Sequence, residues 1–90
     1  MPAGIGVFLN VFVESKELET VARALQKLPE VTDLYEVTGE YDLVVLLRTE
    51  SISAFRELLK NRILKISGIR STVTAVVIHT HKSEGRLVAE

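Results

Sequence analysis

An internal repeat restricts the fold of this chain more than any other feature of its sequence. An apolar strand-like segment, the dipeptide Glu-Ser, a helical segment and a second strand-like segment follow one another twice, at an offset of about 36 to 38 residues. Two strand–helix–strand halves give the element order βαββαβ. That order allows both halves to share one sheet, with a helix from each half to cover it.

The predicted strands are segments rich in apolar, β-branched and aromatic residues. Residues 5–13 are apolar on both alternating sets of positions, which is typical of a central strand covered on both faces. Together with residues 43–49 they form the most apolar pair of strands, which should lie in the middle of the sheet. Residues 31–38 form a more polar strand, and turn residues at 39–42 predict a hairpin between it and the third strand. Residues 69–80 supply the last predicted strand.

Two segments carry apolar residues at the three- and four-residue spacing of a helix. The first begins at Ser15, which we expect to be its N-cap, and it cannot continue through Pro29. The second begins at Ser51 or Ser53 and ends before Gly68. Strands and helices together predict an α+β, ferredoxin-like domain, in which two helices cover one face of a four-stranded antiparallel sheet.

Length and composition limit the classes of function. Ninety residues leave room for one domain, residues 1–90, and 47% apolar residues favour a folded core. A net charge of −1 gives no positive field for phosphates, so we expect no direct nucleic-acid partner. The absence of cysteine excludes disulfides and thiolate metal sites. Without a long apolar run or a signal-peptide pattern in residues 1–4, we expect a cytoplasmic protein with no membrane partner.

One face of the predicted sheet has no helix to cover it. Side chains such as those of Phe8 and Phe12, or of Val44 and Leu46, would form an apolar patch there, larger than soluble monomers normally expose. A second copy of the chain is the simplest cover for such a patch. We therefore predict a face-to-face homodimer, which makes the architecture a dimeric α+β barrel.

His79 and His81 are two positions apart on the last predicted strand and should lie on the same face. This spacing suits two metal ligands or a general acid and base. Catalytic zinc normally has three protein ligands, and Glu84 lies beyond the strand end. We therefore predict no metal site and no cofactor. The alternative is a small dimeric α+β barrel enzyme, of oxygenase or isomerase type, that uses His79 or His81.

The predicted hairpin turn brings several polar groups together. A zwitterionic amino acid needs an acceptor for its ammonium, such as Asp42, and donors for its carboxylate, such as N–H groups near Gly39. The hydroxyls of Thr72 and Thr74 are further donors. Gly and Asp are also common in any hairpin turn, so the residue types alone leave both interpretations open.

Two segments carry a family resemblance that covers nearly the whole chain. VTGEYDLVVLL contains the hairpin, and ISGIRSTVTAVVI follows the second helix. In this order they resemble the ligand-binding domain of the leucine-responsive and asparagine-regulator (Lrp/AsnC) transcription factors, also called the RAM domain. The positions that match its motifs are Gly39, Tyr41, Asp42, Gly68, Thr72 and Thr74.

The resemblance implies a βαββαβ dimer, rings of eight or ten subunits, and small effectors, usually amino acids, bound between neighbouring dimers. Regulators of this family also carry an N-terminal helix-turn-helix. A first strand that starts at residue 5 leaves no room for one, so we expect a stand-alone form. The effector-binding residues implied by the resemblance are Gly39, Tyr41, Asp42 and, from an abutting subunit or strand, Thr72 and Thr74.

The sequence thus predicts a non-enzymatic amino-acid-binding and oligomerisation module that modulates transcription or amino-acid metabolism. Contact with DNA would be indirect, through mixing with full-length Lrp/AsnC-type regulators or through buffering of their effector. A purely architectural subunit that docks on an enzyme or regulator is a further alternative. Residues 82–90 are predicted to form a polar C-terminal tail.

Overall fold

A computed structural model describes residues 4–88. The signal-peptide expectation rests partly on residues 1–3, and the predicted tail includes residues 89–90; both lie outside the described residues. The elements follow the predicted order and then add a short hairpin. They are β1 (Ile5–Val13), α1 (Leu18–Gln26), β2 (Val31–Glu36), β3 (Leu43–Thr49), α2 (Ile52–Leu58), β4 (Ile69–Val76), β5 (Lys82–Ser83) and β6 (Arg86–Leu87).

The central strands of the antiparallel sheet are β3 and β1, in the order β2-β3-β1-β4. Leu9 of β1 lies opposite Val45 of β3 and Thr74 of β4. Alternate residues of β1 and β3 are buried, because one face of the sheet packs against both helices. The predicted ferredoxin-like α+β fold is therefore confirmed. Its core contains Val7, Leu9, Val11, Val13, Val21, Leu25, Leu28, Leu43, Val45, Leu47, Phe55, Leu58 and Ile63.

The two helices begin differently. Ser51 caps α2, since its Oγ accepts a hydrogen bond of 3.0 Å from the Ala54 N–H, as the sequence predicted for one of two serines. The predicted cap at Ser15 is wrong. Ser15 lies inside a 3-10 turn, Ser15–Glu17, and α1 begins after that turn without a side-chain cap hydrogen bond.

The second helix ends in a turn that the sequence did not predict. After α2 the chain forms a π-helical turn, Leu59–Ile63, in which the Leu64 N–H donates to the Leu59 carbonyl at 2.8 Å. Ile63 remains fully buried in this arrangement. No helix described in residues 4–88 combines the length and apolar character needed to cross a membrane.

Two strands end earlier than predicted. β2 ends at Glu36 rather than at residue 38, and β4 ends at Val76 rather than at residue 80. The end of β4 has a physical cause: Val76 already pairs with Val7, close to the start of β1, so little partner strand remains. One more hydrogen bond, from the Val77 N–H to the Gly6 carbonyl at 2.9 Å, completes the pairing.

Residues 77–88 then form a segment that we call the C-terminal arm. It contains the β5–β6 hairpin, whose turn residues Glu84 and Gly85 have φ of 51° and 80°, as in a type I′ turn. All residues from 78 to 88 are exposed. Part of the segment predicted only as a polar tail is therefore a hairpin.

Candidate functional site

The turn between β2 and β3 is open to solvent. Gly39 has a φ of 113°, which side-chain-bearing residues rarely adopt, and apart from its chain neighbours no described residue comes within 4 Å of the position of an added Cβ. Gly39 and Glu40 are exposed, whereas Tyr41 and Asp42 are half-buried. The turn therefore combines an open backbone loop with two side chains held against the domain.

Asp42 is hydrogen-bonded to the end of β1. Its Oδ2 accepts a hydrogen bond of 2.7 Å from the Val13 N–H, and its own N–H donates to the Val11 carbonyl at 3.0 Å. Its carbonyl accepts from the Val37 N–H at 3.0 Å, which closes the hairpin. The pairing of β1 with β4 shifts between Phe12 and Val13, so Asp42 supports the strand where the ladder is irregular. Asp42 thus has a structural role that the sequence analysis did not predict.

Tyr41 packs against the same strand end. Its ring meets the ring of Phe12 edge-on, with centroids 5.0 Å apart and planes at 64°. Phe12 alternates with the buried Val11 and Val13, so its side chain lies on the sheet face opposite the helices. The aromatic pair fixes the direction of the Tyr41 side chain beside Asp42.

The structure does not bring the two threonines to this turn. Thr72 pairs with Val11 and Thr74 with Leu9, on the β4 side of β1, whereas Asp42 borders β1 on the β3 side. Two strand spacings, about 10 Å, therefore separate the backbones of Thr72 and Asp42. Directly paired residues share a sheet face, so both threonines lie on the helix side, away from Phe12. Thr74 is exposed and Thr72 is half-buried.

The sheet face opposite the helices, which we call the open face, has an apolar centre. Phe8 is 42% exposed and Val73 is 45% exposed. No helix described in residues 4–88 covers this face. Its apolar side chains belong to the residues that alternate with the core: Phe8, Phe12, Val44, Leu46, Val73 and Ala75.

A polar pair borders the open face along β2. The Tyr35 hydroxyl donates a hydrogen bond of 3.3 Å to Asp33 Oδ2, and these residues pair with Val44 and Leu46. The Asp33 carboxylate raises the pKa of the Tyr35 phenol, mainly through repulsion of the phenolate charge and then through this hydrogen bond. An apolar centre with a polar edge is typical of protein interfaces.

The histidines lie outside the sheet. Because β4 ends at Val76, the prediction that His79 and His81 share its face is wrong; both are exposed and lie in the C-terminal arm. Their rings still meet edge-on, with centroids 4.5 Å apart. They line a groove of about 890 Å³ between the arm and the open face. The barrel-enzyme alternative requires a buried imidazole, and within residues 4–88 neither histidine is buried.

The sequence analysis missed three features at this end of the sheet. These are the Val13 N–H as partner of Asp42, the packing of Phe12 on Tyr41, and the role of Gly68. Gly68 has a φ of 105°, and its carbonyl accepts from the Glu14 N–H at 2.8 Å. The family resemblance of the ISGIRSTVTAVVI segment pointed to Gly68 as a motif position. Its hydrogen bond with Glu14 could not be predicted from residue spacing.

Comparisons with known proteins match this fold to one family. The family model of the Lrp/AsnC ligand binding domain matches residues 6–87. The chain is similar to the HTH-type transcriptional regulator FL11 of Pyrococcus horikoshii, with 38% identity over 80 residues, covering 89% of this chain and 52% of that protein. The chain thus spans about half the length of the FL11 relatives it matches.

Solved structures of transcriptional regulators also superpose on this fold. Escherichia coli AsnC superposes with a TM-score of 0.81 at 31% identity, over 84% of this chain and 52% of that one. The regulator NMB0573 of Neisseria meningitidis, solved as a complex with L-Met, has a TM-score of 0.84 at 22% identity, over 93% and 56% of the two chains, and shares the fold. The match over residues 6–87, together with these likenesses, shows that the chain belongs to the Lrp/AsnC ligand-binding-domain family.

Proposed function

We propose that this domain binds a free amino acid at the β2–β3 turn and acts, without catalysis, as a sensing module for transcription or amino-acid metabolism. The observation that carries the proposal is the position of Asp42. Its Oδ2 is occupied by the Val13 N–H, and no second hydrogen bond to this carboxylate occurs within residues 4–88. A fixed carboxylate with remaining acceptor capacity, next to an open loop, is suited to an ammonium group.

The proposed ligand lies between subunits. Gly39, Tyr41 and Asp42 are neighbours in one chain, but Thr72 and Thr74 lie across β1 from them. The hydroxyls that bind the ligand carboxylate therefore come from an adjoining subunit, for which the exposed Thr74 is the accessible donor. This division supports a site that is complete only in an assembly.

The open face supports the first step of that assembly. A second copy that covers Phe8, Leu46 and Val73 removes a contiguous apolar surface from water. We expect such dimers to join into rings of eight or ten subunits, with ligands at the contacts between dimers. Partner proteins would be full-length Lrp/AsnC-type regulators.

We propose no direct contact between this domain and DNA. The chain carries 11 basic and 12 acidic residues, which gives a net charge of −1. Without a net positive field, the electrostatic attraction that dominates nucleic-acid affinity is missing. Any effect on transcription would pass through the partner regulators.

Ligand binding is tested by calorimetric titration of the purified chain with each of the twenty amino acids, beginning with L-methionine, because a protein of the same fold was solved with L-Met. We expect saturable binding of at least one of them. Asp42→Asn should lower its affinity about 10- to 100-fold, because a charged hydrogen bond to the ammonium becomes neutral. Thr74→Val should also lower it.

Two variants serve as matched controls. Glu19→Gln removes an exposed carboxylate from α1, and Thr20→Val removes an exposed hydroxyl from the same helix. Both should bind with the affinity of the unmodified chain. Failure of the unmodified chain to bind any of the twenty amino acids would refute the proposal. Full affinity in a folded Asp42→Asn variant would refute the role of Asp42.

Assembly is tested separately by light scattering after size-exclusion chromatography. Phe8→Asp places a charge at the centre of the open face and should yield folded monomers from the dimer or ring. Thr20→Asp, on the helix side, is the control and should leave the subunit number unchanged. An unmodified chain that remains a monomer at micromolar concentration would contradict the assembly.

A further inference from the structure

The histidine pair of the C-terminal arm is a side-chain cluster that the proposed function does not use. The ring centroids of His79 and His81 lie 4.5 Å apart and the ring planes are inclined at 73°. Both residues are exposed, so each ring keeps access to solvent. Two imidazole rings therefore lie in contact beside the end of β3 that is opposite to Asp42.

Metal coordination sets a clear requirement for the spacing of two imidazoles. Each ring nitrogen lies about 2.0 to 2.1 Å from the metal. With a right angle between the two ligands, this places the ring centroids about 4.5 Å apart; a tetrahedral angle increases the separation to about 5.2 Å. The observed centroid separation of 4.5 Å equals the right-angle value and is about 0.7 Å shorter than the tetrahedral value, so it fits two adjacent positions of an octahedral ion best.

The geometry points to a binding site for a borderline divalent transition-metal ion, such as Ni²⁺ or Zn²⁺, held by His79 and His81. Imidazole is a preferred ligand for these ions, whereas Mg²⁺ and Ca²⁺ select oxygen ligands. The site is independent of the amino-acid site proposed above. Each chain binds one ion through two ring nitrogens, and water fills the remaining positions.

The charges of the groove are mixed. The carboxylates of Asp33 and Glu84 line the same groove as the histidines and favour a cation there. Arg48 and Lys82 line it too and oppose a cation. Within residues 4–88, no three His, Asp or Glu side chains are grouped to hold a metal ion. The carboxylates therefore contribute charge rather than coordination, and the open positions keep the ion accessible to solutes.

This site differs from the one rejected on sequence grounds. That argument was that catalytic zinc normally has three protein ligands and that Glu84, the nearest further candidate, lies beyond the predicted strand end. A two-histidine site with water ligands needs no third side chain, and the histidines need not belong to the sheet. The rings of His79 and His81 lie together because they contact each other within the arm, not because they share a strand.

The experiment uses the full chain and the metal ions themselves. ZnCl₂, NiCl₂ and MgCl₂ are titrated in competition with a chromophoric chelator. We expect one Zn²⁺ or Ni²⁺ per chain and no uptake of Mg²⁺. His79→Gln and His81→Gln should each weaken Zn²⁺ binding at least about 10-fold, since loss of even an outer-shell partner lowers metal affinity by about 10- to 100-fold.

The matched control is Glu19→Gln, an exposed side chain on α1, which should retain full metal affinity. Circular dichroism should show unchanged melting for the histidine variants, because both positions are exposed and outside the main sheet. NMR of the imidazole groups should show both rings perturbed together by Zn²⁺. Absence of saturable binding, retention of binding in the double His→Gln variant, or one ion per two chains would overturn the site.

Discussion

The two ends of the sheet differ in how firmly the chain is fixed. At one end, β1 is held from both sides: the Val13 N–H donates to Asp42, and the Glu14 N–H donates to Gly68. At the other end, the last backbone hydrogen bond to the sheet within residues 4–88 runs from the Val77 N–H to the Gly6 carbonyl. Beyond it, the arm is exposed, with Ile78 at 96% and Leu87 at 84% exposure.

This contrast separates two kinds of site. Asp42 serves the fold and the proposed amino-acid site with the same carboxylate, so a change there affects both stability and binding. The histidines of the arm support no strand pairing of the four-stranded sheet. Substitution of their side chains should therefore affect only the proposed metal binding. Substitutions at the two ends should therefore have stability effects of different size.

The largest expected effect is that of Gly68→Ala. The added Cβ would lie 2.6 Å from Glu17 Cβ and 2.9 Å from Val21 Cγ2, at a φ of 105° that alanine rarely adopts. Steric overlap and backbone strain together should lower the free energy of unfolding by about 3 kcal/mol or more. Urea unfolding followed by circular dichroism measures this.

Gly85→Ala is the comparison at the other end. Its φ is also positive, at 80°, but apart from its chain neighbours no described residue comes within 4 Å of the added Cβ. Only the local conformation is strained, in a hairpin that contributes nothing to the core, so global unfolding should change by less than about 0.5 kcal/mol. Equal losses of unfolding free energy in Gly68→Ala and Gly85→Ala would contradict the proposed difference between the two ends of the sheet.

Asp42→Ala should have an intermediate effect. The Val13 N–H would lose its acceptor at a half-buried position, which should lower the free energy of unfolding by about 2 kcal/mol. Asp33→Ala, which removes an exposed carboxylate, should change it by less than about 0.5 kcal/mol. Thermal and urea unfolding of both variants at equal protein concentration make the comparison. An Asp42→Ala variant as stable as the unmodified chain would show that the strand end does not need this bond.

The smallest expected effect is that of Glu84→Asn. Glu84 has a φ of 51° ahead of Gly85, and Asn-Gly is strongly preferred in type I′ turns. The substitution should favour the β5–β6 hairpin by a few tenths of a kcal/mol and leave global unfolding unchanged. Amide exchange of Val88, whose N–H donates to the His81 carbonyl at 3.1 Å, reports the hairpin. Faster exchange would contradict the expectation.

Most of the fold could be predicted from the sequence because the patterns are strong. The strongly apolar character of residues 5–13 and 43–49 identified the central strands, and the helical spacing identified both helices. The cap at Ser51 was also predictable, since serine often precedes a helix. Errors occurred where tertiary contacts decide the ends, as at Val76, where the partner strand runs out.

The candidate site was less predictable. Asp42 could be selected as a ligand group from its residue type and from the family resemblance, but its bond to Val13 depends on strand pairing over a long sequence separation. The separation of Thr72 from Asp42 by β1 is likewise a property of the sheet order. The contact between His79 and His81 arises in a segment without strand periodicity, so spacing predicted their proximity for the wrong reason.

The exposed arm is also a suitable place to attach a spectroscopic label. The chain contains no cysteine, so a single thiol introduced by Ser83→Cys would be unique. Ser83 is exposed beside the hairpin turn, and a nitroxide or fluorophore attached there would leave the core and the β2–β3 turn untouched. Distances measured between such labels would show how many copies of the chain lie close together. Changes in these distances would report movement of the arm when ligands or metal ions are added.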